Sequence, residues 1–396
     1  MNNIVGLALV VSLVVGCGAQ GASTTAVVPG APLGRGPSAP TQIRLATESR
    51  IRTPSTAATA ATAATAATAE IARLVGQKLV VRMEGTSPSL DLLGRIRRGE
   101  IGGVVLFGAN ITTRAALVAM TAKLRAAALA GHQPRFVIAV DQEGGPIKRI
   151  PWAPPTISPP RMGAIAQISV ARSQGAATGT ALRGLGINVD FAPVADVPAS
   201  TASFMYRGLR TFSFSARRTA ALADAFATGL ESTGVVPTMK HFPGIGYATL
   251  NTDASVVTIK ASRALLAPGL APYRTAIGHH IPLIMLSNAT YTAYDATSAA
   301  GWSSAVGITL LRHALGFTGA TITDALDGTA KARGLSLHFV ALRAARAGTD
   351  LLLVTGSEAS SRAVYTNLLS DATSGLIPTA TLRASYLRIL ALKRGL

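Results

Sequence analysis

Acidic and basic side chains follow several short apolar runs of this sequence, at the point where each run ends. They are Asp141 after RFVIAV, the pair Lys240-His241 after VVPTM, and Asp324 after ATIT. If the runs are parallel strands of one barrel, their carboxyl ends share one face and these groups come together. Such a face suits glycosidic bond cleavage, in which one carboxylate attacks the anomeric carbon while a proton donor assists the leaving oxygen.

Each of these side chains also has a structural role open to it. Asp141 can cap a helix or anchor a turn, and His241 can be an ordinary half-buried imidazole. Asp324 can cap the next helix. Asp190 and Asp196, in the run INVDFAPVADV, can brace neighbouring loops. Chemistry is favoured by the convergence of several such groups on one face rather than by any single residue.

Other common reaction centres find no support in the sequence. The six histidines are scattered apart from His279-His280, and no HExxH or comparable ligand spacing is present, so we expect no metal site. No Gly-rich dinucleotide turn follows the first apolar run, and the chain has no G-x-S-x-G elbow. No cofactor is therefore implied.

Eight short β-rich apolar runs alternate with stretches of helical period after residue 70. The runs begin at Lys78, Gly102, Arg135, Ile187, Val235, Pro282, Ala320 and Asp350. Eight β-then-α units with nearly continuous apolar strands fit a parallel barrel whose strands are buried on both faces. We therefore predict an α/β fold in which residues 70–396 form a single (β/α)8 barrel, closed by an amphipathic helix in TATLRASYLRILALKRGL. A doubly wound open sheet is the alternative.

The first 69 residues are typical of an exported protein. Residues 1–17, MNNIVGLALVVSLVVGC, contain an apolar run too short to span a bilayer but suited to a signal peptide. The end VVGC resembles a bacterial lipobox, so Cys17 is a candidate for lipidation; an ordinary cleaved signal is the alternative. Residues 18–69 are rich in Ala, Thr, Pro and Gly, which predicts a disordered tether whose Ala-Thr repeat is compatible with partial helix. We expect a protein anchored to the cell membrane or secreted to the envelope.

The chain carries a formal net charge of +19. Two interpretations remain open: attraction to an anionic envelope surface, or an ordinary solvated surface rich in arginine. Nucleic acid is a poor partner, because no basic run is interleaved with aromatic residues, which make up only 5% of the chain. We expect a monomer.

Five motifs resemble glycoside hydrolase family 3, and within it the β-N-acetylglucosaminidase subgroup that acts on peptidoglycan fragments. They are VDQEGGPIKRI, GLGINVDFAPVADV, LRTFSF, MKHFPGIG and ITDALDG, and they follow the family's order from about Ile71 to Leu396. The resemblance implies a retaining mechanism with a covalent glycosyl-enzyme intermediate on the nucleophile Asp324. The side chains that it implies for sugar binding are Asp141, Arg149, Arg210, Lys240 and His241.

One loop departs from the family pattern. Members of the subgroup usually continue KHFPGHG and then Asp-Ser-His, whose histidine is the general acid/base and is oriented by its aspartate. Here the corresponding residues are Ile245 and Asn251-Thr252-Asp253. Three readings remain open. In the first, Asp253 is the acid/base and has a raised pKa. In the second, another group is the acid/base or the activity is low. In the third, the chain is a catalytically impaired protein that binds sugar.

Together these observations predict a glycosidase that cleaves terminal β-linked N-acetylhexosamine from cell-wall glycans of the peptidoglycan type. The alternatives are an impaired lipoprotein that binds sugar or cell wall, and a related β-glucosidase. The expected partners are the carbohydrate substrate and, through the lipid on Cys17, a membrane.

Overall fold

The computed structural model describes the backbone of residues 56–396 and the side chains of residues 65–396. The predicted signal peptide, Cys17 and residues 18–55 of the predicted tether lie outside this part of the chain. Helix α1 (Thr56–Gly76) begins inside the segment expected to be a tether and takes in the Ala-Thr repeat. The boundary expected at residue 70 therefore falls within a helix. Among the described residues, no helix is long and apolar enough to cross a bilayer.

Eight parallel strands form the centre of the fold. They are β1 (Leu79–Arg82), β2 (Gly103–Leu106), β3 (Val137–Val140), β4 (Val189–Asp190), β5 (Val236–Phe242), β6 (Leu283–Leu286), β7 (Ala320–Thr323) and β8 (Leu352–Val354). From β1 to β7 each strand pairs with the next, and β8 pairs with β1 through Leu352 opposite Leu79. A parallel bridge between Ile322 and Leu351 joins β7 to the start of β8 and closes the ring. The barrel and the eight strands predicted from the sequence are confirmed.

Side chains alternate between the inside of the barrel and the surrounding helix layer, as the period of two requires. Val80, Val105, Ala139, Ile322 and Leu353 belong to a buried cluster inside the barrel. Apart from the threonines that flank Ile322, their neighbours in the chain belong instead to the larger cluster between strands and helices. Two residues further along each strand, the same inward face reaches the carboxyl end of the barrel at Arg82, Phe107, Asp141, Asp324 and Thr355.

Helices surround the barrel. After α1 they are α2 (Leu90–Arg97), α3 (Arg114–Ala130), α4 (Pro159–Ile165), α5 (Ile168–Gly184), α6 (Phe204–Arg207), α7 (Ala216–Glu231), α8 (Arg263–Leu266), α9 (Ala271–Gly278), α10 (Leu326–Ala332), α11 (Leu337–Arg346), α12 (Glu358–Thr373) and α13 (Thr379–Arg394), with a π-helix at Ala305–Ala314. Serine and threonine hydroxyls accept backbone N–H bonds at several helix starts, for example Ser89 at α2 and Thr113 at α3. Small hairpins at Gln142–Gly144 with Ile147–Lys148 and at Thr290–Tyr291 with Asp295–Ala299 extend the loops.

Helix α13 is the helix predicted for the last segment, and it closes the amino-terminal end of the barrel. Ile389 and Leu392 belong to the cluster inside the barrel. Asp350 fastens the helix by accepting bonds from Ser385 at 2.8 Å and from Arg388 at 2.8 Å. With this end filled, the opening for a ligand lies at the opposite end, where the strands terminate.

Candidate active site

A cavity of about 390 Å³ opens at the carboxyl ends of the strands. Its wall includes Val105 and Phe107 from β2 and its loop, Met285 from β6, and Leu353 and Thr355 from β8 and its loop. All seven side chains for which the sequence suggested a catalytic or sugar-binding role also line it. They are Asp141, Arg149, Arg210, Lys240, His241, Asp253 and Asp324.

One side of the cavity is a connected set of charged groups. The Lys240 Nζ atom donates to Asp141 Oδ1 at 2.7 Å and lies 2.7 Å from Glu143 Oε1. Arg210 donates to both oxygens of Glu143, at 2.8 and 2.7 Å, in a bidentate pair. Arg149 Nη2 lies 3.5 Å from Asp141 Oδ2. These contacts fix Asp141 and its neighbouring cations as a rigid polar wall.

Glu143 is the member of this wall that the sequence interpretation missed. Its side chain is buried, which by itself would raise its pKa, but Arg210 and Lys240 outweigh burial and hold the pKa at about 2. Burial lowers the pKa of Lys240, but the negative charges of Asp141 and Glu143 outweigh it and raise that pKa. Glu143 is therefore a permanent anion that keeps two cations charged and in place. The signal for it was its position two residues after Asp141 in the same motif.

The loop that carries these acids is anchored below the cavity. The Gln142 amide donates to the carbonyl oxygens of Ile150 at 3.0 Å and Pro154 at 2.8 Å. Asp190 accepts the Gln142 backbone N–H at 2.9 Å, which is the bracing role considered for it. Burial raises the pKa of Asp190 to about 8 despite that hydrogen bond. Asp190 therefore positions the loop as an uncharged group at neutral pH.

His241 is oriented by a buried carboxylate. Its Nδ1 lies 2.7 Å from Asp196 Oδ2, while Asp196 Oδ1 accepts the backbone N–H of Ile245 at 2.8 Å. This contact fixes the ring with Nε2 directed away from Asp196. Asp196 thus has a bracing role, as considered, and His241 is one of the buried residues that line the cavity.

Asp324 and Asp253 lie on the other side of the cavity. Asp324 follows β7 and its Oδ1 accepts the backbone N–H of Ala325 at 2.8 Å. Asp253 Oδ1 accepts a bond from the Asn288 amide at 3.0 Å, and the same amide donates to the Ala325 carbonyl oxygen at 3.0 Å. Burial first, and then the negative charge of Asp324, raise the pKa of Asp253 to about 7. The pair therefore combines one carboxylate with one carboxyl group that retains a proton near neutral pH.

The loop that carries Asp253 is seated on α10. Asn251 Oδ1 accepts the backbone N–H of Asp253 at 3.0 Å and shapes the turn. A Cβ atom added to Gly328 would lie 2.3 Å from the Asp253 carbonyl oxygen, so only glycine permits this approach. Sequence reasoning missed both Gly328 and Asn288 as supports of this loop, although ITDALDG contains the glycine.

The arrangement matches the needs of glycoside cleavage. A carboxylate, a protonated carboxyl group and a wall of charged hydrogen-bonding groups face one cavity large enough for a sugar. Among residues 65–396, no group of three histidine, cysteine or acidic side chains is arranged to hold a metal ion.

Comparisons with known proteins identify the family. The glycosyl hydrolase family 3 N-terminal domain matches residues 69–392. A secreted glycosyl hydrolase of Arthroderma benhamiae is 31% identical over 337 residues, covering 83% of this chain and 94% of that protein. A beta-hexosaminidase of Nitrosomonas eutropha is 32% identical over 278 residues, covering 68% and 77%.

A solved structure has the same fold. The glycoside hydrolase family 3 beta-N-acetylglucosaminidase from Paenibacillus sp. FPU-7 superposes with a TM-score of 0.78 and 29% identity. The match covers 82% of this chain, and the chain spans 62% of the length of that protein.

Proposed function

Since this chain belongs to glycosyl hydrolase family 3 and is an O-glycosyl hydrolase of the β-hexosaminidase type, we propose that it removes terminal β-linked N-acetylhexosamine from cell-wall glycans of the peptidoglycan type, with retention of configuration. The observation that carries the proposal is the pairing of Asp324 with the proton-bearing Asp253 on one side of a cavity whose other side is the charged wall around Asp141.

The charged wall holds the terminal sugar. Asp141 accepts hydrogen bonds from sugar hydroxyls, and Arg149, Arg210 and Lys240 donate to the remaining oxygens. Because Nδ1 of His241 donates to Asp196, its Nε2 accepts a bond from a further sugar hydroxyl. Because these groups are already held by one another, little side-chain entropy is lost when the sugar binds. The fixed wall thus sets the anomeric carbon in front of Asp324.

In the first step an oxygen of Asp324 attacks the anomeric carbon, and the bond from that carbon to the glycosidic oxygen breaks. Asp253 gives its proton to this oxygen, so the leaving sugar departs as a neutral alcohol. The products of the step are a glycosyl ester on Asp324 and an ionised Asp253.

In the second step Asp253 takes a proton from a water molecule, whose oxygen attacks the anomeric carbon and displaces Asp324. Asp324 is then ionised again, Asp253 is protonated again, and the sugar leaves with its original configuration. Two inversions at the same carbon give net retention.

The preference for an N-acetylhexosamine is supported by the names of the relatives, a beta-hexosaminidase and a beta-N-acetylglucosaminidase. The test is turnover of 4-nitrophenyl N-acetyl-β-glucosaminide beside the matching β-glucoside. Preference for the first supports the proposal, and preference for the second favours the β-glucosidase alternative. Sugar binding without turnover of either would establish the impaired, sugar-binding alternative. Turnover that persists in Asp324→Ala would refute the nucleophile.

We also propose that the protein acts outside the cytoplasm, anchored by a lipid on Cys17. The signal-like residues 1–17 and the VVGC end support this, and the Arthroderma relative is described as secreted. Metabolic labelling with a radioactive fatty acid should mark the full chain but not the Cys17→Ser variant. Equal labelling of both would refute the anchor.

A further inference from the structure

Arg82 is a cation at the mouth of the barrel that the proposed mechanism does not use. It is the last residue of β1, on the same inward face as Val80. Residues of the neighbouring strands on both sides of it line the cavity, Val105 and Phe107 on one side and Leu353 on the other. Arg82 pairs in register with Val105. Arg82 therefore lies directly behind the cavity wall, against its lining residue Phe107.

The charge of Arg82 is not matched by an acid. Its side chain makes no hydrogen bond or ion pair with any residue that the structure describes, and its Nε atom is buried without a partner. The other cations of the site differ, because Lys240 and Arg210 contact Glu143 and Arg149 faces Asp141. A half-buried guanidinium with no acid beside it is unfavourable unless a ligand supplies the opposite charge.

Arg82 and Arg149 meet at one aromatic ring. Their guanidinium carbons lie 5.5 and 5.4 Å from the centroid of Phe107, which lines the cavity. Cation–π contact holds both planar groups in position without using their hydrogen-bond donors. The Nε of Arg149 is likewise buried and unpartnered. Two oriented guanidinium groups with free donors beside one ring form a suitable site for an oxyanion.

The neighbours of Arg82 indicate which part of the substrate carries that oxyanion. Arg82 shares the Phe107 ring with Arg149, whose Nη2 lies 3.5 Å from Asp141 Oδ2. Asp141 follows β3, which lies opposite the strand that precedes the nucleophile Asp324, and in the proposed mechanism it binds hydroxyls of the terminal sugar. A group that reaches Arg82 beside this pair therefore belongs to the sugar that is held, on the side of its ring away from the anomeric carbon.

We infer that Arg82, with Arg149 and Phe107, forms a subsite for an acidic substituent on the terminal sugar, a sulfate, phosphate or carboxylate at position 4 or 6. The inference rests on the proposed function, since it assumes that this cavity holds a terminal sugar. It makes the enzyme selective for acidic over neutral terminal sugars.

The first test compares kcat/KM for 4-nitrophenyl N-acetyl-β-glucosaminide with its 4-O-sulfo and 6-O-sulfo forms. The wild type should prefer one sulfated form, and Arg82→Met should reduce that preference about tenfold or more, because a hydrogen bond between charged groups is lost. Arg82→Lys should restore part of it. Arg343→Met, which removes an exposed arginine packed on Phe339, should keep the wild-type ratio. No preference in the wild type, or an unchanged ratio in Arg82→Met, would overturn the inference.

A second measurement separates this inference from the proposed function. Titration calorimetry with N-acetylglucosamine and its 4- and 6-sulfates needs no turnover. Tighter binding of a sulfate that Arg82→Met abolishes supports the subsite even if hydrolysis fails. Hydrolysis without tighter binding of a sulfated sugar would support the proposed function and refute the subsite. Dependence on Arg82 only for glycosides with an acidic leaving sugar would overturn the placement on the held sugar.

Discussion

Activity should decline at alkaline pH because Asp253 loses its proton. In the proposed mechanism, cleavage of the glycosidic bond requires this group protonated. Burial and then the charge of Asp324 raise its pKa from 3.8 to about 7. Activity is therefore present below about pH 7 and is lost as the pH rises through that value. Above it the protonated fraction falls tenfold per pH unit, so kcat/KM at pH 8 should be about one tenth of its value on the acidic side.

Replacing Asp253 by Ala should act differently on different leaving groups. A sugar or alkyl leaving group needs its proton, and kcat/KM should fall by about 10²- to 10⁴-fold. A 2,4-dinitrophenyl group departs without protonation, so its kcat/KM should change little and should no longer decline above pH 7. The second step then lacks its base, and azide should raise kcat and yield the β-glycosyl azide.

The measurement is a pH profile of kcat/KM for both substrates in the wild type and in the Asp253→Ala and Asp253→Asn variants. The Asn variant keeps the size of the side chain and controls for displacement of the loop. An alkaline decline that survives in both variants, or an equal loss for both leaving groups, would show that Asp253 is not the acid.

Three further predictions concern the supports of the site. Gly328→Ala should lower kcat for substrates with poor leaving groups in steady-state kinetics, because the added Cβ would displace the Asp253 loop. The control Gly184→Ala should keep the wild-type kcat, since its Cβ meets nothing within 4 Å. Glu143→Gln should destabilise the protein by about 3–5 kcal/mol at pH 7. Because the pKa of Glu143 is lowered to about 2, the wild type should lose this extra stability as the pH falls below about 4.5, and urea unfolding at several pH values measures the loss. Asp253→Asn should raise the free energy of unfolding, because the raised pKa of Asp253 means that the wild type loses stability as the pH rises toward 7. The gain of the variant over the wild type should grow from about pH 4, reach about 4 kcal/mol and stay constant above pH 7, as thermal unfolding at several pH values measures.

The strands and the face that carries the site were predictable because both follow from local pattern. Each apolar run is buried on both sides, and the residue that ends it must lie at the carboxyl end of a barrel strand. Asp141, Lys240 and Asp324 therefore converge once the barrel closes, whatever their loops do.

The supports of the site were less predictable, because they depend on contacts between distant loops. Asn288 reaches Asp253 from 35 residues away, and Glu143 meets Arg210 across 67 residues. No period or spacing in the sequence reports such a pairing. Arg82 illustrates the same limit: its run, LVVR, predicts a strand, but only the closed barrel shows that its guanidinium lies on the ring of Phe107, which lines the cavity.

The interaction between Asp253 and Asp324 offers a physical reason why a carboxyl group can do the work of the histidine and aspartate expected from the family resemblance. The charge of Asp324 is the second cause, after burial, of the raised pKa of Asp253. When the glycosyl ester forms, that charge disappears, so the pKa of Asp253 must fall just as the mechanism asks it to lose its proton. When the ester is hydrolysed the charge returns and the pKa rises again. A histidine would need a carboxylate partner to orient it, whereas Asp253 needs only the Asn288 amide and a turn shaped by Asn251. In the proposed mechanism, the nucleophile Asp324 itself thus shifts the pKa of the acid/base Asp253 between the two steps.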